Sequence, residues 1–394
     1  MNKPFVSVAK GDDPYQTASE LLSRFPISDL GGKKVLIKPN AARMAAAGEG
    51  VTTDPGVVAA IIDFLKKKRA REIVIGESCI FGVKAAAAFR KTGLEEIAGE
   101  KAVSLLDLDR LDPLEIRIPR GRLLKRIKVS SILNKVDLVV SVPVMKTHMH
   151  TRVTLGIKNM KGLLWRREKA RFHHLAADRS VVKGEKELDM AIAEMATALF
   201  PQLVVIDGMV GMEGMGPGYG RAKKMGVVVA SENALAADAV AAHLMGFDPR
   251  EIPHLRLCHE FGLGEIRLDQ ISVDPPDFLK WENPFEPPPV RISISYPDVV
   301  VYDHGSCSAC LSTLMVFLQG QRDRLDEYRL QDDKFHVGLG KYLQDFPEGT
   351  VLLGNCTQKF KDRGIFIQGC PPISSRILET LHRRKLKKEG KGRE

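Results

Sequence analysis

The sequence predicts an α/β protein with a mostly parallel sheet in a large N-terminal domain and a smaller flavodoxin-like α/β domain after it. Three observations carry this. Short β-branched runs alternate with helical stretches from residue 30 to about 270, the pattern of βα units around a parallel sheet. Residues 275–289 then hold six of the 22 prolines, a density that neither a helix nor a central strand tolerates. A second, shorter α/β alternation follows.

Lys34–Lys38 (KVLIK) is aliphatic and too short for a helix, so it reads as the first strand of the alternation. Asp54 before Pro55 provides an N-cap and a proline at the first helical position, which opens a helix through VVAAIIDFLKKK. Ile73–Ile75, Asp137–Val142 and Leu203–Ile206 are further strands of the buried type, and Glu187–Leu199 and Ala234–Leu244 have helical composition. The proline-rich stretch is expected as a linker over 276–289, between domains at 1–275 and 290–385. In the smaller domain the expected strands are Val299–Tyr302, Val351–Leu353 and Ile365–Ile367, with helices from about Ser308 and Ile373. Residues 386–394 read as a basic, disordered tail.

The 394 residues are 44% hydrophobic and 27% charged, which excludes disordered, collagenous and coiled-coil classes. The net charge of +10 is unevenly placed: Arg383–Glu394 carries seven basic and two acidic groups, and Lys146–Arg171 eight basic and one acidic. Charge confined to one motif-bearing segment indicates a local anion site, and with so few aromatic residues it argues against nucleic acid. Six cysteines are too few for a disulfide-stapled domain, and MNKPFVSVAKGDDPY lacks the apolar stretch of a signal peptide. A cytoplasmic protein without a membrane span is therefore expected.

Four of the six cysteines, Cys307, Cys310, Cys356 and Cys370, each follow an expected strand end. In an open parallel sheet those ends gather on one edge, so three loops can bring four thiolates together. Such a set suits a [4Fe–4S] cluster, with zinc as the alternative. One CxxC followed by gaps of 45 and 13 residues differs from the paired knuckles of compact zinc ribbons, and a Cys-Pro step such as Cys370-Pro371 recurs at cluster ligands.

In the larger domain four polar segments follow strands and are expected to surround a cleft for an anionic small molecule or cofactor. Lys38, Asn40, Lys146, Lys158, Asn159 and Lys161 are its candidate anion-binding residues. His148 is the candidate acid/base, because imidazole titrates near neutrality. Asp207 at a strand end and Glu213 in the glycine-rich stretch 208–220 are further candidates for moving protons. That stretch matches neither dinucleotide nor P-loop spacing and reads as a backbone wrap around a ligand or a flexible connection. Asp238 either caps a neighbouring loop or reaches the cleft. His148, His150, His173 and His174 lack the carboxylate spacing of the common zinc motifs.

The segments Ile37–Asn40, Pro143–His148, Gly156–Asn159 with Gly162, Asp207–Pro217, and Ala236–Ala239 with Gly246-Phe247 resemble those of the domain-of-unknown-function family 362, an iron–sulfur-centre protein family. The resemblance implies association with a cluster, although the tandem CxxCxxC pattern common among members is absent. The cysteine pattern after residue 300 resembles the flavodoxin-like cluster domain of nickel–iron hydrogenase small subunits and of a related complex I subunit. The expected function is a cytoplasmic iron–sulfur oxidoreductase that passes electrons from a [4Fe–4S] cluster to an anionic substrate or cofactor in the cleft. The alternatives are an electron-transfer or accessory protein that docks on a redox partner through the basic segment 152–171 with Trp165, and a zinc-stabilised binding module.

Overall fold

The computed structural model describes residues 3–80, 82–173, 175, 179–182, 185–288, 296–330 and 332–391. The chain divides into two compact units, Met1–Pro288 and Pro289–Glu394. The first contains strands β1 (Phe5–Lys10), β2 (Lys34–Pro39), β3 (Glu72–Glu77), β4 (Ser104–Asp107), β5 (Pro113–Arg117), β6 (Arg126–Ser130), β7 (Leu138–Val142), β8 (Val144–His148), β9 (Arg152–Thr154), β10 (Leu203–Glu213), β11 (Arg221–Ser231) and β12 (Ser272–Asp274). Its helices include α1 (Pro14–Arg24), α2 (Pro55–Lys67), α3 (Ala85–Thr92), α4 (Leu94–Glu100), α5 (Gly156–Asn159), α6 (Glu168–Arg171), α7 (Arg179–Val182), α8 (Glu187–Ala196), α9 (Ala234–Leu244) and α10 (Pro253–Glu260).

The main sheet runs in the order β12-β1-β11-β10-β7-β2-β3-β4, with β8 paired to β10 and β9 to β8. From β10 to β4 all neighbours are parallel, and β11 is antiparallel to both β10 and β1. The pleat sends alternate residues to opposite faces. Val35 and Ile37 enter a core with α2, while Leu36 between them enters the core that holds α8 and α9. Helix α2 starts as its sequence dictates: Asp54 accepts from the Gly56 amide at 2.8 Å, and Pro55 occupies the first turn.

Two expectations change in this unit. The glycine-rich stretch 208–220 lies within the hairpin β10–β11, which has a bulge between Gly208 and Val210. Its glycines serve close packing: a Cβ on Gly211 would stand 2.6 Å from Phe285 Cζ and 2.7 Å from the Met145 carbonyl oxygen. The expected linker 276–289 is, through Pro288, a strap bound to the first unit. Phe278 and Phe285 are buried in its core, and the Asn283 and Phe285 amides donate to Leu244 and Met245 carbonyls at 3.0 and 2.9 Å. Two buried aromatics outweigh the irregular backbone that the prolines impose.

The second unit holds β13 (Val299–Asp303), β14 (Phe335–Leu339), β15 (Val351–Leu353) and β16 (Ile365–Ile367), all parallel and in that order, with α11 (Ser308–Gly320) and α12 (Ser374–Lys391). Strand β14 has no counterpart in the expected elements, because His336 and Gly338 interrupt its apolar run, yet it is buried along its whole length. Helix α12 extends to Lys391, so residues 386–391 of the expected tail continue a helix, consistent with the helix propensity of Leu, Lys and Glu.

Phe285→Ala is expected to lower the unfolding free energy by about 3 kcal/mol in urea denaturation, the usual cost of emptying a buried aromatic site. An unchanged midpoint would return the strap to the status of a linker.

Candidate functional site

The carboxyl ends of β2, β3 and β7 meet around a buried ion pair. Lys38 Nζ lies 2.8 Å from Glu77 Oε2, and both side chains are 1% exposed. The ammonium also donates to the Pro39 carbonyl at 2.7 Å and to Asn159 Oδ1 at 3.0 Å, so its three protons are all used. Glu77 accepts in addition from the amides of Ala41 (3.0 Å) and Ser78 (2.8 Å). Asn159 is equally occupied: its oxygen takes Lys38 and Asn40, and its amide donates to the Lys38 carbonyl and Ser141 Oγ. Gly162 closes the cluster, since a Cβ there would lie 2.5 Å from Glu77 Oε1 and Lys38 Nζ. The expectation that Lys38 and Asn159 hold an anion is therefore corrected: each spends its donors inside the protein, and they brace the sheet edge.

Lys146, on β8, is 2% exposed and donates to Asn40 Oδ1 at 2.6 Å and the Val51 carbonyl at 2.5 Å. Asn40 thus orients a lysine. Burial, with Arg43 next in weight, brings the Lys146 ammonium down to about 7. Burial does the same to Lys161, with Lys169 adding repulsion. Lys158 is pushed well below the ordinary lysine range by burial and then by Lys161, Lys146 and Arg43. Lys158 Nζ donates to Thr154 Oγ1 at 3.2 Å, while Lys161 Nζ lies 3.2 Å from His173 Nε2. Lys158 feels the charges of Lys161, Lys146 and Arg43, so the structure brings Lys146 and Lys161 near Lys158 and adds Arg43, which the sequence reading did not single out.

His148 stands beside them, 5% exposed. Burial, then the charges of Lys158, His150 and Lys161, hold its imidazole well below 6.5. Its Nδ1 accepts from the His150 amide at 3.1 Å, which leaves the proton of the neutral ring on Nε2. His148, the expected acid/base, is at neutral pH a neutral ring with its proton on Nε2, because burial and the cations around it disfavour a further positive charge. His150 packs edge-on to it with ring centroids 5.7 Å apart. His174 lies outside the described residues.

The expected proton carriers are placed differently. Asp207 accepts from the amides of Asp54 (2.7 Å) and Met209 (2.9 Å), which pins the start of α2 to the β10 bulge, and burial pushes its carboxyl up to about 7. Glu213 is committed to Lys223 at 3.2 Å, Arg221 at 3.3 Å and the Glu286 amide at 2.9 Å. Its carboxyl stays below the usual range although burial opposes this. It therefore ties the strap to the hairpin and remains ionised, which removes it as a proton donor. Asp238 caps α5 through the Gly156 and Ile157 amides at 2.7 and 3.0 Å. Asp189 and His254, 1% and 0% exposed, face each other at 3.3 Å behind Lys158. Trp165 donates from its indole to the Leu111 carbonyl at 2.9 Å and is covered by Arg166, so this chain itself uses much of the ring.

The second unit gathers the cysteines on the carboxyl edge of its sheet. Cys307 precedes α11, and its thiol hydrogen-bonds with that of Cys310. This bond, burial and the charges of Cys307, Cys370 and Cys356 push the Cys310 thiol up. The loops bearing Cys356 and Cys370 are joined by Asn355 N to Gly369 O and Gly369 N to Asn355 Oδ1, both 2.9 Å. Gly354, at φ 91°, lets this pair approach: a Cβ there would stand 2.9 Å from Cys310 Sγ. Cys356 and Cys370 are exposed. Among the described residues no three thiol, imidazole or carboxylate groups are close enough to hold one metal ion.

The family model described as a domain of unknown function, DUF362, matches residues 35–243, more than half of the chain. The chain belongs to this family. A thylakoid-associated protein of Synechocystis sp. is 28% identical over 249 residues, 60% of this chain and 72% of that protein. The lactate racemase apoprotein of Thermoanaerobacterium thermosaccharolyticum is similar at a TM-score of 0.39 and 12% identity; the match covers 66% of this chain and 57% of that one. The DUF362 match runs from β2 to α9 and so contains the cationic cluster and the Lys38–Glu77 pair, whereas the four cysteines lie beyond it. No helix among the described residues is long and apolar enough to cross a membrane.

Glu77→Gln leaves the Lys38 ammonium buried without its counter-charge and is expected to cost about 3 kcal/mol in urea denaturation. Combined with Lys38→Met it should cost less than the sum of the two single changes, and additivity would show the pair to be uncoupled. Lys161→Met tests the burial of charge. The folded value near 7 lies below the ordinary 10.5, so the folded state bears the full penalty below pH 7 and sheds it as pH rises toward 10. The methionine variant is expected to gain stability at pH 6, with the gain shrinking by pH 9; a gain that grows with pH would refute the assignment.

Proposed function

We propose that this DUF362 protein is an iron–sulfur oxidoreductase, with Cys307, Cys310, Cys356 and Cys370 as ligands of a [4Fe–4S] cluster and an anionic substrate or cofactor in the cationic cleft. The supporting observation is that three loops at the carboxyl edge of one sheet carry the four thiols, with Cys307, Cys356 and Cys370 each within electrostatic reach of Cys310. The donor set fits the group: all sulfur, soft, and mutually repulsive once deprotonated, which a cationic iron centre relieves. Zinc satisfies the same chemistry and is the outcome that competes.

When bound, the cluster supplies single electrons. The cleft's own residues do the rest. Lys158 and Arg43 attract and orient the anion, and His148 offers its Nε2 proton as a neutral hydrogen bond. Lys146 and Lys161, with ammonium groups brought down to about 7, and Asp207, with its carboxyl pushed up to about 7, exchange protons at neutral pH, while Glu213 stays ionised. The exposed stretch from Arg166 to Arg167 remains available for a redox partner protein, the weaker of the two readings because Trp165 beside it is engaged internally.

Anaerobically purified protein is expected to contain about four iron and four sulfide per chain. Dithionite should change its visible and electron paramagnetic resonance spectra, and Cys356→Ser or Cys370→Ser should remove iron and sulfide together. One zinc without sulfide would overturn the redox reading and leave a metal-stapled binding protein.

A further inference from the structure

We propose that the cationic cluster of Arg43, Lys146, Lys158 and Lys161 is a receptor for a small multivalent oxyanion, one that carries at least two negative charges. The inference rests on the cleft half of the preceding reading and is independent of the cluster.

Lys158 lies within electrostatic reach of Lys161, Lys146 and Arg43, and Lys146 within reach of Arg43; the four come from the loop after β2, from β8, and from α5 and the turn that follows it. Among the described residues none of the four forms an ion pair with a carboxylate; their polar contacts are Asn40, the Val51 carbonyl, Thr154 and His173. Lys38, the other buried lysine of this edge, has Glu77. Arg43 lies over the Tyr219 ring at 5.9 Å, and room for its guanidinium depends on Gly218, where a Cβ would stand 2.9 Å from Cζ.

Two of the carboxylates within reach are committed: Glu77 is held by Lys38 and two amides, and Asp207 by the Asp54 and Met209 amides. Asp189, 3.3 Å from His254 and without a hydrogen-bond partner among the described residues, is the one acid set against the four bases, and it acts on Lys158. Other neighbours add positive charge or none: Lys38 acts on Lys146, Lys169 on Lys161, and His148 with His150 and His173 lies beside Lys158 and Lys161. The cluster therefore holds a surplus of cations that the nearby acids only partly neutralise. In a low-dielectric site such repulsion is costly, and an entering anion relieves it in proportion to its charge. A monoanion offsets one of these charges, while a dianion offsets two. Arginine contributes a planar fork for two oxygens and the lysines contribute point charges. Binding also draws protons onto Lys146 and Lys161, whose ammonium groups burial brings down to about 7.

The test is calorimetric titration of the full chain with sulfate, which stays dianionic across the pH range. It is run beside inorganic phosphate, succinate and acetate at constant ionic strength in two buffers of different protonation enthalpy. The expected result is saturable one-to-one sulfate binding at least tenfold tighter than acetate, with proton uptake and several-fold weakening from pH 6.5 to 8.5. Lys158→Met and Arg43→Met should each weaken it at least tenfold while the circular dichroism spectrum and Tm are retained. Tighter binding of phosphate identifies a tetrahedral group, and tighter binding of succinate a dicarboxylate; both support the proposal. If sulfate, phosphate and succinate bind no better than acetate, or the variants bind sulfate like the parent, the proposal fails. Repeating the sulfate titration on Cys356→Ser protein separates the two readings: the anion site should persist there although the iron is lost.

Discussion

The ion pair between Lys38 and Glu77 is the constraint on which the rest of the first unit depends. It joins the carboxyl ends of adjacent parallel strands, and through Asn159 it also holds Asn40, Ser141 and the short helix that carries Lys158. Burial lowers the Lys38 ammonium even against the pull of Glu77, so desolvation outweighs the attraction and net stabilisation is not what the pair contributes. Its effect is positional. With every donor and acceptor of the cluster matched inside the protein, the segments after β2, β3 and β9 have one satisfied arrangement, and among the described residues Arg43, Lys146, Lys158 and Lys161 are left without a carboxylate in an ion pair.

That division of labour among similar residues is the main structural result. Lys38 and Lys146 are both nearly fully buried lysines at the same sheet edge, yet one has a carboxylate and the other a carboxamide and a carbonyl. The same holds for the acids. Asp207, Asp238 and Glu77 all take backbone amides, which spends their hydrogen-bonding capacity on holding loops. The electrostatic character of the cleft follows from where the acids are tied down as much as from where the bases stand.

Much of this was visible along the chain. KVLIK, the Asp-Pro start of α2 and the β-branched run of β7 announce themselves through local periodicity and capping, and the structure places strands and a helix there. The cysteines were marked by their positions after strand ends, a rule that parallel topology enforces. Glu77 occupies the same kind of position after β3 and carried that signal, although a single acid at a strand end is common enough to pass unnoticed. Arg43 and the Asp189–His254 pair had no local signal at all, since their neighbours come from β8, α5 and α10, more than 60 residues away in the chain.

Local sequence was sufficient for the α/β class, the order of its elements and the identity of the chemical groups at the sheet edges, because periodicity, caps and strand ends are short-range properties. It was not sufficient for the roles of those groups. Whether a lysine holds a ligand or a neighbouring strand, and whether an aspartate moves a proton or caps a helix, depends on which partners folding brings within 3 Å and how much water it removes. Phe278 and Phe285 make the same point for the strap, where two aromatic side chains that find a core override a stretch of prolines. Solvation and pairing are long-range outcomes of packing, and the unfolded sequence contains the residues but not their distances.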